Sequence, residues 1–133
     1  MAQTAASTKS IQEKLQMKPG RSVLVVNQPT DYNKLLGKLP TSITVAERNS
    51  KNIDVIQVFV ESRQQLEDEL PKMKLALATK GMLWVTYAKG TSSKRSDINR
   101  DSINEYAQSI GLEGVAIVSI NDDWSALRLK VVS

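Results

Sequence analysis

The chain has 133 residues, a formal net charge of +4, and neither cysteine nor histidine. Those two absences exclude disulfides, thiolate nucleophiles, Cys/His zinc sites and every scheme that uses an imidazole base, so any chemistry rests on Asp, Glu, Lys, Tyr, Ser or Thr. Two Trp, three Tyr and one Phe are few for a protein that stacks on bases, which sets nucleic acid behind other partners.

Residues 1–9 are small and polar with no apolar run. They read as a flexible N-terminus with no signal peptide or membrane segment, so the expected setting is cytoplasmic, and residues 10–133 are expected to form one domain. Ile11, Leu15 and Met17 mark a short helix that stops at Lys18-Pro19-Gly20. Ser22 to Asn27 is almost wholly apolar, the pattern of a central parallel strand covered on both faces. After Gln28-Pro29, a helix from Thr30 to Leu36 is expected to bury Tyr32, Leu35 and Leu36 and to end at Gly37. Ile43 to Glu47 reads as a short strand, and Arg48 to Asn52 as a polar loop.

The clearest stretch follows. A strand from Asp54 to Val60, a helix from Ser62 to Thr79 and a strand from Met82 to Tyr87 form one βαβ unit. Leu66, Leu70, Met73 and Leu77 put an apolar stripe on the helix, and Ser62 with Gln65 makes a capping box. Pro71 predicts a kink or break near Glu69, with a second short helix opening at Pro71, and Gly81 is expected as the C-cap. Beyond a loop from Ala88 to Asp97, a helix carries Ile103, Tyr106, Ala107 and Ile110 inward and closes at Gly111. Its start is open between Ser96 and a Ser102/Glu105 capping box. Val115 to Ile120 and Ala126 to Val132 read as a hairpin around Asn121-Asp122-Asp123-Trp124. Strands alternating with helices give an α/β fold with a mainly parallel sheet, helices on both faces, and one antiparallel strand from the hairpin.

Lys18-Pro19-Gly20 entering Val23 to Val26, Glu47 closing the next strand, Asp54-Val55-Ile56, and Leu77 to Val85 together resemble the Rossmann-type, S-adenosylmethionine-dependent methyltransferase fold. More narrowly, the loop Lys89 to Arg100 and the ending Asp123 to Leu129 resemble a bacterial family of small uncharacterised proteins with a trimmed form of that core. Between Glu47 and Asp54 there is no room for the further helix and strand that the methyltransferase fold normally has. The resemblance implies a single Rossmann-like (methyltransferase-like) domain with a six-stranded sheet in the order 2-1-3-4-6-5, the last strand antiparallel and inserted. The residues partly disagree: Leu127, Leu129 and Val131 alternate with Arg128 and Lys130 as on an edge strand, whereas Val115 to Ile120 is apolar on both faces. The inserted order is retained.

In such sheets ligands sit beyond the carboxyl ends of the strands where strand order reverses, here between the first and third strands. Asn27, Glu47, Glu61 and Trp124 are the candidate residues of that crevice, with Trp124 read as core or lid. A cofactor site there needs glycines that let bare backbone approach, yet Asn27 to Tyr32 contains no glycine and includes Pro29, which has no N–H. No cofactor is therefore expected. Glu47 does match the acid that holds ribose hydroxyls in the resembled fold, which keeps S-adenosylmethionine as the alternative. The stronger candidate is the loop Lys89, Gly90, Thr91, Ser92, Ser93, Lys94 and Arg95, because residues 71–96 hold six basic side chains and no acidic one. Hydroxyls, backbone amides and a following helix N-terminus are the elements of a phosphate or carboxylate site, although Lys72, Lys74 and Lys80 also suit a helix C-terminus. Asp122 and Asp123 have the oxygens Mg²⁺ prefers, but adjacent Asn and Asp residues are what a tight hairpin turn wants and the turn reading prevails, so no metal and no catalytic residue is assigned.

The reading is a non-catalytic binding module that holds a small anionic ligand or a protein partner through this loop, with no membrane contact. The alternative is a methyltransferase in which Glu47 holds ribose and Glu61 or Asp122 assists transfer. A third option is an adaptor for acidic proteins or nucleic acid that uses only the basic face.

Overall fold

The computed structural model describes residues 10–90 and 97–132. In chain order the elements are α1 (Ile11–Lys14), β1 (Ser22–Val26), α2 (Tyr32–Leu36), β2 (Thr44–Val45), β3 (Ile53–Phe59), α3 (Arg63–Ala76), β4 (Leu77–Ala88), α4 (Arg100–Ser109), β5 (Leu112–Ser119) and β6 (Trp124–Val131). They form one six-stranded sheet in the order β2-β1-β3-β4-β6-β5. The pairs β1–β2, β1–β3 and β3–β4 are parallel, and β6 is antiparallel to both β4 and β5. The expected topology, with the last strand inserted, is the one found.

The side-chain pattern of the hairpin pointed the other way, and topology overrides it. The register from Leu83↔Leu129 to Ala88↔Trp124 fixes β6 against β4, and Ala126, Leu127 and Leu129 are buried. On the outer strand β5, Val115 and Ile117 stay 43% and 45% exposed. Placing an arginine on an inner strand has a cost: the Nε of Arg128 is buried without a hydrogen-bond partner among the described residues.

Each face of the sheet carries its own apolar cluster. On one, Leu66, Leu70 and Met73 of α3 and Ile103 and Ala107 of α4 cover Ile56, Val58, Leu83 and Leu129. On the other, Leu15, Met17, Tyr32 and Leu36 cover Val55, Phe59, Trp84 and Trp124. Trp84 donates its indole N–H to the Leu15 carbonyl at 3.1 Å, which fixes the segment after α1 to the sheet. Leu35, expected inside, is 48% exposed because the single turn of α2 can bury only Tyr32 and Leu36.

Five local expectations change. α3 is continuous from Arg63 to Ala76 with Pro71 inside it, and no second helix opens. Pro71 cannot donate to the Glu67 carbonyl one turn back; the Tyr106 hydroxyl donates there instead, at 3.4 Å. The helix ends at Ala76, not Thr79, because Leu77 turns extended and pairs at once with Ile53. Gly81 is thus a strand residue and not a C-cap. It sits at the register shift between Ile53 and Val55, where a Cβ would lie 2.7 Å from Leu77 Cδ1 and 3.0 Å from the Ile53 carbonyl oxygen. Only half of the Ser62 box forms: Ser62 Oγ accepts from the Gln65 N–H, but Gln65 Oε1 caps the Glu61 N–H. Finally, α4 starts from Asn99, whose side chain accepts from the Ser102 N–H while Ser102 Oγ accepts from the Asn99 N–H. Ser102 is therefore the third helical residue and not the cap; Ser96 lies outside the described residues.

Candidate functional site

At the carboxyl end of β1 the chain turns through Asn27 in the left-handed region, φ +62°, which Asn tolerates better than most residues. Its amide donates to Glu69 Oε2 at 2.7 Å. Arg48, in the loop after β2, forks onto the same carboxylate, Nη1 to Oε1 at 3.0 Å and Nη2 to Oε2 at 2.8 Å, and also reaches Asn27 Oδ1 at 3.2 Å. The first turn, the β2–β3 loop and the middle of α3 are thereby pinned together. The Arg48 guanidinium holds the Glu69 carboxyl below its usual range, with burial opposing and Asn27 assisting. In return, the hydrogen bonds that Arg48 donates to Glu69 raise the guanidinium above its ordinary value, with burial opposing. Sequence reading missed both residues. A signal for Glu69 was present, since it lies on the buried stripe between Leu66 and Met73, where an acid needs a partner.

The other crevice candidates do not converge. Glu47 is exposed, with its backbone N–H on Ser50 Oγ, and Glu61 is exposed beside the start of α3. Trp124 is 7% exposed and meets Phe59 edge-on at 5.3 Å, so it belongs to the core. Phe59 in turn meets Tyr32 at 4.7 Å. Beneath the first turn runs a buried polar relay: the Tyr32 hydroxyl donates to Gln57 Oε1 at 2.6 Å, and Gln57 Nε2 donates to Thr86 Oγ1 at 2.9 Å. Burial pushes the Tyr32 phenol well above its ordinary value, with the Gln57 bond opposing.

At the carboxyl end of β4, Lys89 donates from Nζ to Ser119 Oγ at 2.7 Å and from its backbone N–H to the Asp123 carbonyl at 2.8 Å. Gly90 is exposed, while Thr91, Ser92, Ser93, Lys94 and Arg95 lie outside the described residues. Lys89 and Gly90 border an open depression of 390 Å³ that also takes in Tyr87, Arg100 and Ser125. A second depression of 220 Å³ shares Arg100, Asp101 and Ile117 with it and runs over Gly114 and Leu127. Tyr87 is 6% exposed, and burial raises its phenol while nearby Arg100 opposes the rise. In the β5–β6 turn, Asn121 Oδ1 accepts from the N–H groups of Asp123 and Trp124, both at 2.9 Å, which is the turn geometry expected of these residues. Among the described residues no three His, Cys, Asp or Glu side chains gather as a metal site.

The strand reversal between β1 and β3, the helices on both faces and the antiparallel strand next to the edge define a Rossmann-like core of the methyltransferase type. Solved structures agree. An S-adenosylmethionine-dependent methyltransferase from Aquifex aeolicus matches with a TM-score of 0.61 and 12% identity, covering 92% of this chain and 88% of its own. A TehB-like S-adenosylmethionine-dependent methyltransferase from Corynebacterium glutamicum matches at 0.56 and 11% identity, over 98% and 93%. The Burkholderia thailandensis 1,6-didemethyltoxoflavin-N1-methyltransferase, solved with S-adenosylhomocysteine, matches at 0.56 and 8% identity, over 98% and 77%. Likeness at such identities concerns the fold alone. The chain belongs to the family described as protein of unknown function (DUF3052), whose model matches residues 13–132. No curated protein sequence matches it. No helix among the described residues is long and apolar enough to cross a membrane.

Proposed function

We propose that this domain is a non-catalytic relative of the methyltransferase fold, a binding module that holds an anionic ligand at the carboxyl end of β4. The observation that carries the reading is the Asn27–Arg48–Glu69 cluster. A cofactor turn presents bare backbone to its ligand; here the first residue past β1 commits its side chain to a nearly buried carboxylate, and Pro29 removes an N–H from the same turn. Lys89 and Gly90 border the open depression, and in sequence they are followed by Thr91, Ser92, Ser93, Lys94 and Arg95, the rest of the proposed anion loop, which lies outside the described residues. A second reading, a methyltransferase with an altered pocket, draws on the fold of its neighbours and on Glu47, exposed just beyond β2.

Thermal unfolding with S-adenosylmethionine, S-adenosylhomocysteine and a panel of anions separates the two. A ligand at a hundred times its dissociation constant stabilises the native state by about 2.7 kcal/mol, readily seen as a shift in midpoint. The module reading expects no shift with either methyl-cycle compound and a shift with anions. A shift with S-adenosylhomocysteine that is lost in Glu47→Ala overturns it in favour of the transferase.

A further inference from the structure

We infer that the trough between α4 and the β5–β6 hairpin is a binding site for a monocarboxylate with an apolar body. The inference rests on the reading of the domain as a binding module and names the chemistry of its ligand. It starts from Tyr87. The side chain is nearly buried and lines the depression, yet its hydroxyl has no hydrogen-bond partner among the described residues. Its oxygen is open to the depression and is not one of the buried polar atoms left without a partner, so it is a donor still available to a ligand; the Tyr32 hydroxyl in the same sheet, 2.6 Å from Gln57, is already committed. A ligand oxygen would complete Tyr87.

Arg100 supplies the matching charge. Its side chain is 60% exposed, and its one side-chain hydrogen bond among the described residues is a long one, Nε to Asp101 Oδ1 at 3.4 Å, which leaves both Nη groups for the planar fork that suits a carboxylate. The N-terminus of the ten-residue helix α4, fixed by the Asn99 capping box, adds partial positive charge at the same place. Asp101 then narrows the choice: an acid on the same wall disfavours a dianionic phosphate more than a singly charged head.

The floor sets the rest of the ligand. Ile117 borders both depressions, half-exposed, and beyond it lie Ala116, Leu127 and Gly114. Gly114 gives its N–H to Asn104 Oδ1 at 2.9 Å, and a Cβ there would lie 3.0 Å from that oxygen, so the floor stays low against the α4 wall. The polar end and the apolar run are one continuous surface, which fits an aryl or short acyl carboxylate lying along β5.

Calorimetric titration of the full chain with benzoate, hexanoate and inorganic phosphate tests this. Both carboxylates are expected to bind saturably and phosphate at least about tenfold more weakly. Arg100→Gln should weaken the carboxylates about tenfold or more and Tyr87→Phe about fivefold, the range for losing hydrogen bonds to a charged ligand. Ile117→Ser should weaken hexanoate, and Lys80→Ser, which removes an exposed charge elsewhere, should change nothing. Circular dichroism and unfolding midpoints confirm that each variant is folded. Equal binding by wild type and Arg100→Gln, an equal loss in Lys80→Ser, or phosphate binding as tight as benzoate each overturns the inference. Absence of carboxylate binding with no response to S-adenosylmethionine defeats this site and leaves the module reading standing. A response to S-adenosylmethionine beside Arg100-dependent carboxylate binding defeats the module reading alone.

Discussion

At the end of β1, Asn27, Arg48 and Glu69 consume one another's polar atoms, and Tyr32 passes its proton donor to Gln57. At the end of β4, the Tyr87 hydroxyl bonds none of the described residues, and among them Arg100 uses only its Nε. The first region is where this sheet reverses its strand order, and the chain has knitted it shut with short, partly buried hydrogen bonds. The second is open and amphipathic. A shared fold therefore leaves the position of the site undecided; the inventory of unspent donors is the better guide to it.

Four substitutions break or sharpen that contrast. Phe59→Ala has the largest expected effect, because this ring is the shared contact of Tyr32 on the β1 side and Trp124 on the hairpin side; urea unfolding should show a loss of about 3–5 kcal/mol. Tyr32→Phe comes next, at about 1–3 kcal/mol, since it leaves the fully buried Gln57 oxygen without a donor. Glu69→Gln should cost about 1–2 kcal/mol at neutral pH, discounted because the Arg48 side chain is 50% exposed. Its pH dependence has a definite sign. The folded value of Glu69 is lowered, so its contribution is fully present above the ordinary glutamate pKa of about 4.3 and is lost as pH falls through the folded value. Unfolding curves of wild type and Glu69→Gln should therefore converge in acid; a gap that stays constant down to pH 2 would mean the carboxylate charge is not what matters. Tyr87→Phe is the smallest, within about 0.5 kcal/mol of wild type, because its hydroxyl bonds none of the described residues. If Tyr87→Phe is as damaging as Tyr32→Phe, the two regions do not differ in the way described.

Much of the fold was legible. The periods of β3, α3 and β4 and the order of strands and helices gave a parallel sheet without reference to long-range contacts. Errors fell where a distant group replaces a local rule: Pro71 is tolerated because Tyr106 of another helix takes the freed carbonyl, and Gly81 serves a close backbone approach at a register shift, not a helix end. The site was less legible for the same reason. The glycine-free turn could be read directly, and Glu69 could have been found as an acid on an apolar stripe. Arg48 could not, since nothing local says which helix a loop arginine will meet. Tyr87 looks like any core residue of a buried strand, and only the surrounding geometry shows that its hydroxyl ends in a depression.

The hairpin also constrains the order of assembly. β5 is hydrogen-bonded into the sheet only through β6, which lies between it and β4. Residues 112–119 therefore have no ladder to join until residues 124–131 are in place, and the later strand acts as the closing key that seats two strands at once. Cleavage ahead of residue 124 would leave β5 without its partner and its half-exposed Val115 and Ile117 open to pairing with neighbouring chains.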